Sequence, residues 1–176
     1  MIKGDNIVYK RDIHQLDHIV RSVYDSMLPI ATAKGVTMNL RGCERSIKIR
    51  GDKERLSELF SHLITNAVKY TRRGGTVTIT CTAPDKPILM RSTSSWKVVG
   101  WIKVTVADTG IGIAEDEQDK IFKRFYRADT SNAEVAGARL SLTILHAIVN
   151  ALGGRIECES KPSKGSTFTV HLPVDP

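Results

Sequence analysis

A change of period constrains this chain more than any other feature. Apolar residues fall at Leu56, Leu59, Phe60, Leu63, Ile64, Ala67 and Val68, in alternating steps of three and one. That spacing predicts a helix with one buried face, started by Asp52 as N-cap and running to about Tyr70. Gly74-Gly75 then turns the chain, and residues 76–82 (TVTITCT) alternate as a β-branched strand. A one-sided helix followed closely by a strand requires a shared core, which is the logic of layered α/β folds.

The remaining segments extend that pattern. Residues 12–34 carry Ile13, Leu16, Val20, Val23 and Met27 on one helical face. Asp12 and Gln15 provide a capping-box start, Gly35 an end, and Pro29 is expected to kink the last turns or stop the helix early. Short strands are expected at 36–40 and 46–50, and a longer one at 97–107 (KVVGWIKVTVA). Pro84, Pro87 and the run Ser92 to Ser95 mark an exposed hairpin loop between strands 76–82 and 97–107. A short acidic helix is expected near 115–124, followed by a mobile polar stretch over 128–138. A third main helix is expected at 139–152, with Leu142, Leu145, Ile148, Val149 and Leu152 at helical spacing and Gly153-Gly154 closing it. Strands at 155–160 and 166–172, joined by a Lys-Pro-Ser-Lys-Gly turn, complete the chain. This order is not a βαβ repeat. It predicts a two-layer α/β sandwich: a mixed sheet of about five or more strands with about three main helices on one face.

With 176 residues, 41% of them hydrophobic, the chain is expected to form a single domain over 1–176. No apolar run approaches the roughly 20 residues of a membrane helix, and charges at Lys3, Asp5, Lys10, Arg11 and Asp12 interrupt any signal-like segment. A cytoplasmic setting without direct membrane contact is expected. Cys43, Cys81 and Cys158 are widely spaced, without a C-x-x-C pair, and read as reduced thiols. The net charge of +7 suits nucleic acid, an acidic partner or a polyphosphate. Lys and Arg are scattered and not interleaved with aromatics, which argues against nucleic acid.

Two segments carry candidate chemistry. Glu58, His62, Asn66 and Lys69 share one stripe of the helix over 52–70. An amide oxygen at Asn66 suits hydrated magnesium, and Lys69 suits a phosphate; a solvated polar face accounts for the same spacing. Asp108-Thr109-Gly110-Ile111-Gly112-Ile113 follows a strand and precedes a helix. A carboxylate at a strand end accepts from an exocyclic amine, and the glycines admit a flat ligand; a tight turn explains them as well.

Taken together, RLSELFSHLITNAVKYT (55–71), VADTGIGI and IFKRFYRAD resemble the asparagine box, first glycine box and phenylalanine box of sensor histidine kinases, in that order. LHAIVNALGGRIECESKPSKGSTFTVHLP resembles the end of the same ATP-binding catalytic domain, a Bergerat fold shared with DNA gyrase, the ninety-kilodalton heat-shock chaperones and MutL. The resemblance implies that Asn66 holds Mg2+, Lys69 contacts phosphate, Tyr70 packs on adenine, and Asp108 binds the adenine amine with Gly110 and Gly112. Ile113, Phe125, Gly137, Leu140, Leu142 and Thr167 are implied as further nucleotide neighbours. Phe122 and Phe125 are implied to anchor a nucleotide lid at 128–138. The catalytic set is then His62, Asn66 and Arg127, with Arg124 and Arg127 near the γ-phosphate. ATP and Mg2+ are the implied cofactors; a dimerisation domain with the phosphoacceptor histidine, absent from this chain, and a response regulator are the implied partners. The isolated domain is expected to be monomeric.

Three departures from the family pattern stand out. The second glycine box, which in the family reads glycine, any residue, glycine, leucine, glycine, leucine, is here Gly137-Ala138-Arg139-Leu140-Ser141-Leu142. Arg139 and Ser141 bring side chains to places where backbone N–H groups would cradle phosphate. Arg139 can itself pair with phosphate. His62 stands where these kinases usually carry asparagine and related ATPases a general-base glutamate, which speaks against efficient ATP hydrolysis. None of His14, His18, His146 or His171 has a phosphoacceptor context. Two readings follow: a kinase domain acting on a histidine elsewhere, and a noncatalytic pseudokinase-like module with weakened ATP binding that acts by docking.

Overall fold

The computed structural model describes residues 12–82, 88–91, 96–118 and 133–174. In chain order the elements are β1 (Asp12–Gln15), α1 (Leu16–Lys34), β2 (Thr37–Arg41), β3 (Lys48–Gly51), α2 (Lys53–Tyr70), β4 (Thr76–Thr82), β5 (Ile88–Arg91) and β6 (Trp96–Asp108). They continue with α3 (Glu115–Gln118), α4 (Ala133–Ala151), β7 (Arg155–Lys161) and β8 (Gly165–Val174). The main sheet runs β2-β4-β6-β8-β7, with β5 folded back on the first residues of β6. Among the described residues, β2 and β4 pair in parallel and the other ladders are antiparallel, so the sheet is mixed as expected.

Alternation in the strands decides where the core lies. Val77, Ile79 and Cys81 of β4, Ile102, Val104 and Val106 of β6, and Val170 and Leu172 of β8 are all buried. They join the apolar faces of α1, α2 and α4 in one cluster, which gives the two-layer sandwich. Helix α2 is central. The Asp52 carboxylate accepts from the backbone N–H groups of Glu54 and Arg55, satisfying two donors of the first turn. All seven apolar residues named from its spacing are buried. At its other end, Lys34 Nζ donates to the Val68 and Lys69 carbonyls, placing a cation at the negative end of the helix.

Several expectations are corrected. Asp12–Gln15 is not the first turn of a helix but a strand, paired antiparallel with Lys48–Gly51. Helix α1 therefore begins at Leu16, Gln15 makes no side-chain cap, and Ile13 stands exposed. Pairing with β3 holds 12–15 in extended backbone, which is incompatible with a helical turn. Pro29 neither stops α1 nor shortens it: the helix runs to Lys34 and ends on Gly35 at φ 78°. Pro29 lies on the exposed side, where a carbonyl that loses its helical partner is accessible to solvent, while Val23, Met27 and Ala31 keep the buried stripe continuous. Ile88–Arg91 is a strand inside the expected hairpin loop. Helix α4 begins at Ala133, six residues before the expected start, so 133–138 of the expected mobile stretch is helical. The run AEVAGARL is rich in good helix formers, and the family's breakers at 139 and 141 are absent.

Candidate nucleotide site

The site is organised by the end of β6. Asp108, its last residue, pairs with Val77 on one side and Ser166 on the other. Its Oδ1 accepts from the backbone N–H of Gly110 at 2.9 Å and of Ser166 at 3.3 Å. Burial pushes the carboxyl pKa up, and these two N–H groups pull it partly back. One oxygen is thus engaged by the protein, and Oδ2 is left as an acceptor for a ligand.

The following turn is clasped from two directions. Ile111 N–H donates to the Tyr70 carbonyl at 3.4 Å, tying the turn to the end of α2. On the other side Ser163 N–H donates to the Ile111 carbonyl, and Ile113 N–H donates to Ser160 Oγ at 2.7 Å. Gln118 Nε2 completes the clasp by donating to the carbonyls of Ile113 and Ser160. Sterics explain the glycines: a Cβ on Gly110 would overlap the Tyr70 carbonyl, and one on Gly112, at φ +71°, the Lys161 carbonyl. Both glycines admit protein backbone, so the tight-turn reading of this segment holds whether or not a ligand approaches. Beside the turn lies a cleft of about 460 Å³, lined among others by Asp108, Gln118, Ser160, Lys164, Ser166 and Thr167. That volume is within the range of small-molecule sites.

The stripe on α2 does not line this cleft; it meets the same turn through the Tyr70 carbonyl. Asn66 is half-buried and makes no side-chain hydrogen bond among the described residues, leaving its amide oxygen available. Lys69 is exposed, with Nζ 5.6 Å from the centre of the Tyr70 ring. His62 Nε2 lies 3.9 Å from Glu58 Oε1, and Glu58 also pairs with Arg55 at 2.8 Å. Thr167 sits opposite Ala107 in the β6–β8 ladder, one position from Asp108. Ile113 packs half-buried against the core, and Leu142 is buried within it. Gly137 and Leu140 lie within α4. Phe122, Arg124, Phe125 and Arg127 lie outside the described residues, as does the part of the expected lid before Ala133.

Sequence reasoning missed Gln118, Ser160, Lys164 and Ser166. The signal available for three of them was the Lys-Pro-Ser-Lys-Gly turn: it brings β7 and β8 back to Asp108, and Gly165, at φ +106°, packs against the Asp108 carbonyl where a Cβ would not fit.

Comparison with known proteins agrees with this geometry. Residues 51–176 match the family described as histidine kinase-, DNA gyrase B- and HSP90-like ATPases. The chain is 33% identical to the sensor histidine kinase RppB of Synechocystis over 90% of its own length and 32% of that protein's. It is 33% identical to the sensor protein DivL of Caulobacter vibrioides, covering 97% of this chain and 20% of DivL. The signal transduction histidine-protein kinase BaeS of Escherichia coli is 35% identical over 74% of the chain and 25% of BaeS. Among solved structures, the catalytic domain of histidine kinase ThkA superposes with a TM-score of 0.72 at 20% identity, covering 95% of this chain and 99% of that one. Full-length ShkA in complex with AMPPNP gives 0.73 at 25% identity, covering 95% and 32%.

The chain belongs to the histidine kinase-, DNA gyrase B- and HSP90-like ATPase family. Within it, the chain corresponds to the ATP-binding catalytic domain of sensor histidine kinases, and it spans about a fifth to a third of the curated relatives named above. Among the described residues, no helix is long and apolar enough to cross a membrane.

Proposed function

We propose that this domain binds Mg-ATP and positions its γ-phosphate for transfer to a histidine on a dimerisation domain, from which a response-regulator aspartate receives it. The observation that carries the proposal is the junction at Asp108. A half-buried carboxylate with one oxygen held by the protein and one open stands beside a turn bonded to the end of the helix that carries Asn66, Lys69 and Tyr70.

Each residue has a part in that reading. Asp108 Oδ2 accepts the adenine amine, and the Gly110–Ile113 turn and Thr167 bound the base. The Tyr70 ring stacks on adenine, and Lys69 swings from the ring to the phosphates. Asn66 fits a magnesium ion through its free amide oxygen, a hard donor beside otherwise hydrated positions. When bound, the ion neutralises charge on the phosphates. His62, held near Glu58, donates a hydrogen bond toward the phosphate side, and Arg127 offsets charge on the γ-phosphate. Phe125 anchors the lid; Gly137, Leu140 and Leu142 belong to the segment that closes the phosphate end. Catalysis is positioning and charge stabilisation, as phosphoryl transfer requires.

A second reading rests on one observation: α4 is helical through 137–142, the segment that corresponds to the second glycine box. In that reading the domain keeps its fold, binds ATP weakly and acts by docking.

Calorimetric titration with a nonhydrolysable ATP analogue, with and without magnesium, separates the two. Micromolar, magnesium-dependent binding is expected for the kinase domain, followed by phosphohistidine on an added dimerisation segment of the parent. No heat up to millimolar ligand, from folded protein, selects the docking module.

A further inference from the structure

Cys43 and Cys81, 38 residues apart in sequence, meet in the core with Sγ atoms 2.6 Å apart. They are not joined by a disulfide, and both are 4% exposed. Their meeting is built by the backbone. In the parallel β2–β4 ladder Arg41 lies opposite Thr80, so the next residues, Gly42 and Cys81, continue side by side. Gly42, at φ +78°, presses so closely on the Cys81 carbonyl that a Cβ would overlap it, and this turn directs Cys43 inward. The third thiol, Cys158, lies on β7, apart from the pair.

We propose that Cys43 and Cys81 form a reversible peroxide-driven disulfide, which latches the loop 42–47 to β4. The separation is within about 0.6 Å of a covalent S–S bond, so closure needs little backbone movement. The step balances as follows. Cys43 thiolate attacks one peroxide oxygen, giving a sulfenic acid and releasing hydroxide, which leaves as water. Cys81 sulfur then displaces the second oxygen, also as water, while its proton goes to that leaving group. Two thiols and one hydrogen peroxide become one disulfide and two waters; sulfur is oxidised by two electrons and peroxide reduced by two. A dithiol reductant reverses the bond by exchange. Cys43 is suited to attack first because the Arg21 guanidinium, which donates to the Cys43 carbonyl, lies near its sulfur and favours the thiolate.

The latch has a defined reach. The loop it fixes holds the start of α1: Leu16 N–H donates to the Ile47 carbonyl, Ile47 N–H donates to the buried Asp17 carboxylate, and Arg21 donates to the Cys43 carbonyl. Cys81 is five residues along β4 from Thr76, which bonds to Thr109 of the nucleotide turn. Oxidation therefore stiffens the junction of β1, α1 and the 42–47 loop, at the end of the sheet away from the candidate nucleotide site. The inference does not depend on the proposed phosphotransfer.

The test uses the whole chain, titrated with hydrogen peroxide and mapped by mass spectrometry after alkylation under denaturing conditions. Alkylatable thiols should fall from three to one, with a linked pair of peptides carrying Cys43 and Cys81 and a mass loss of two hydrogens. Melting temperature should rise by roughly 10 °C on oxidation and return with dithiothreitol. Cys158→Ser should keep the link, and Cys43→Ser and Cys81→Ser should each abolish it. Sulfinic or sulfonic Cys43 without a disulfide, a link through Cys158, or three thiols surviving excess peroxide would each overturn the proposal. Because peptide mapping reads the unmutated chain, the result stands even where a serine variant folds poorly.

Discussion

The two glycine-bearing segments of the candidate site behave in opposite ways. At 108–113 the glycines are required by close backbone neighbours: Gly110 faces the Tyr70 carbonyl, Gly112 the Lys161 carbonyl, and the turn is clasped by hydrogen bonds from two sides. At 137–142 a single glycine lies inside a helix that runs unbroken from Ala133 to Ala151. Glycine in the first segment solves a steric problem, whereas in the second it interrupts a good helical sequence at a cost. Under the proposed function, Arg139 and Ser141 in place of the family's glycines favour the helix and hinder backbone approach to phosphate.

The largest expected effect comes from reversing that second case. Arg139→Gly combined with Ser141→Gly should restore backbone approach to phosphate under the proposed function. At about 1.5 to 3 kcal/mol for each charge-assisted contact regained, ATP-analogue affinity should rise by roughly two to four powers of ten. Calorimetry on the double variant and the parent chain reads this directly. Unchanged affinity would show that the contrast between the segments has no bearing on binding.

Asp108→Asn tests the first segment. Oδ1 accepts from Gly110 and Ser166, and an asparagine can keep both bonds through its single carbonyl oxygen. Its NH2 group then replaces Oδ2, presenting a donor where the adenine amine needs an acceptor. Affinity should fall about 10- to 100-fold with the turn intact. Stability should move the other way. The folded carboxyl pKa is raised by burial, so between the ordinary carboxylate value and the shifted one the folded state holds more protons than the unfolded. Stability from this group is therefore lost as pH rises through that window. The asparagine variant should lack this slope in urea melts at a series of pH values, and should be no less stable than the parent at neutral pH. A destabilised variant would mean that the charge itself holds the turn.

Much of the scaffold was legible from residue order because its determinants are local. Helix α2 carries its cap, period and buried face within nineteen consecutive residues, and each stands where its spacing places it. The Asp108 turn was legible for the same reason. Strand β1 was not: Asp12–Gln15 has weak strand character, and its partner lies some 35 residues away in β3. The clasp of Ser160, Ser166 and Gln118 exists only after the 161–165 turn folds back on β6, and the contact between Cys43 and Cys81 follows from the parallel β2–β4 register. Alternation alone does not disclose which strands become neighbours. The start of α4 escaped because Ala128 to Ala138 reads as one polar stretch, although its second half consists largely of good helix formers.

Alanine substitution at one glycine in each segment sharpens the comparison on stability alone. At Gly112, φ is +71° and the Lys161 carbonyl occupies the space a Cβ needs, so Gly112→Ala should cost on the order of 2 kcal/mol and loosen the clasp between the two turns.

The smallest effect has the opposite sign. Gly137 is the fifth residue of α4, past its first turn, where glycine loses more backbone entropy than alanine. Gly137→Ala should therefore stabilise the domain by about 0.5 to 1 kcal/mol, seen as a rise of a few degrees in melting temperature. Were 137 in a loop that needs the left-handed region, as the mobile stretch expected from the sequence allows, the same change would destabilise. The sign of one small shift thus distinguishes a continuous α4 from a loop at its start. Opposite signs at Gly112 and Gly137 would show that one residue type is retained for steric necessity in one half of the site and against helical preference in the other.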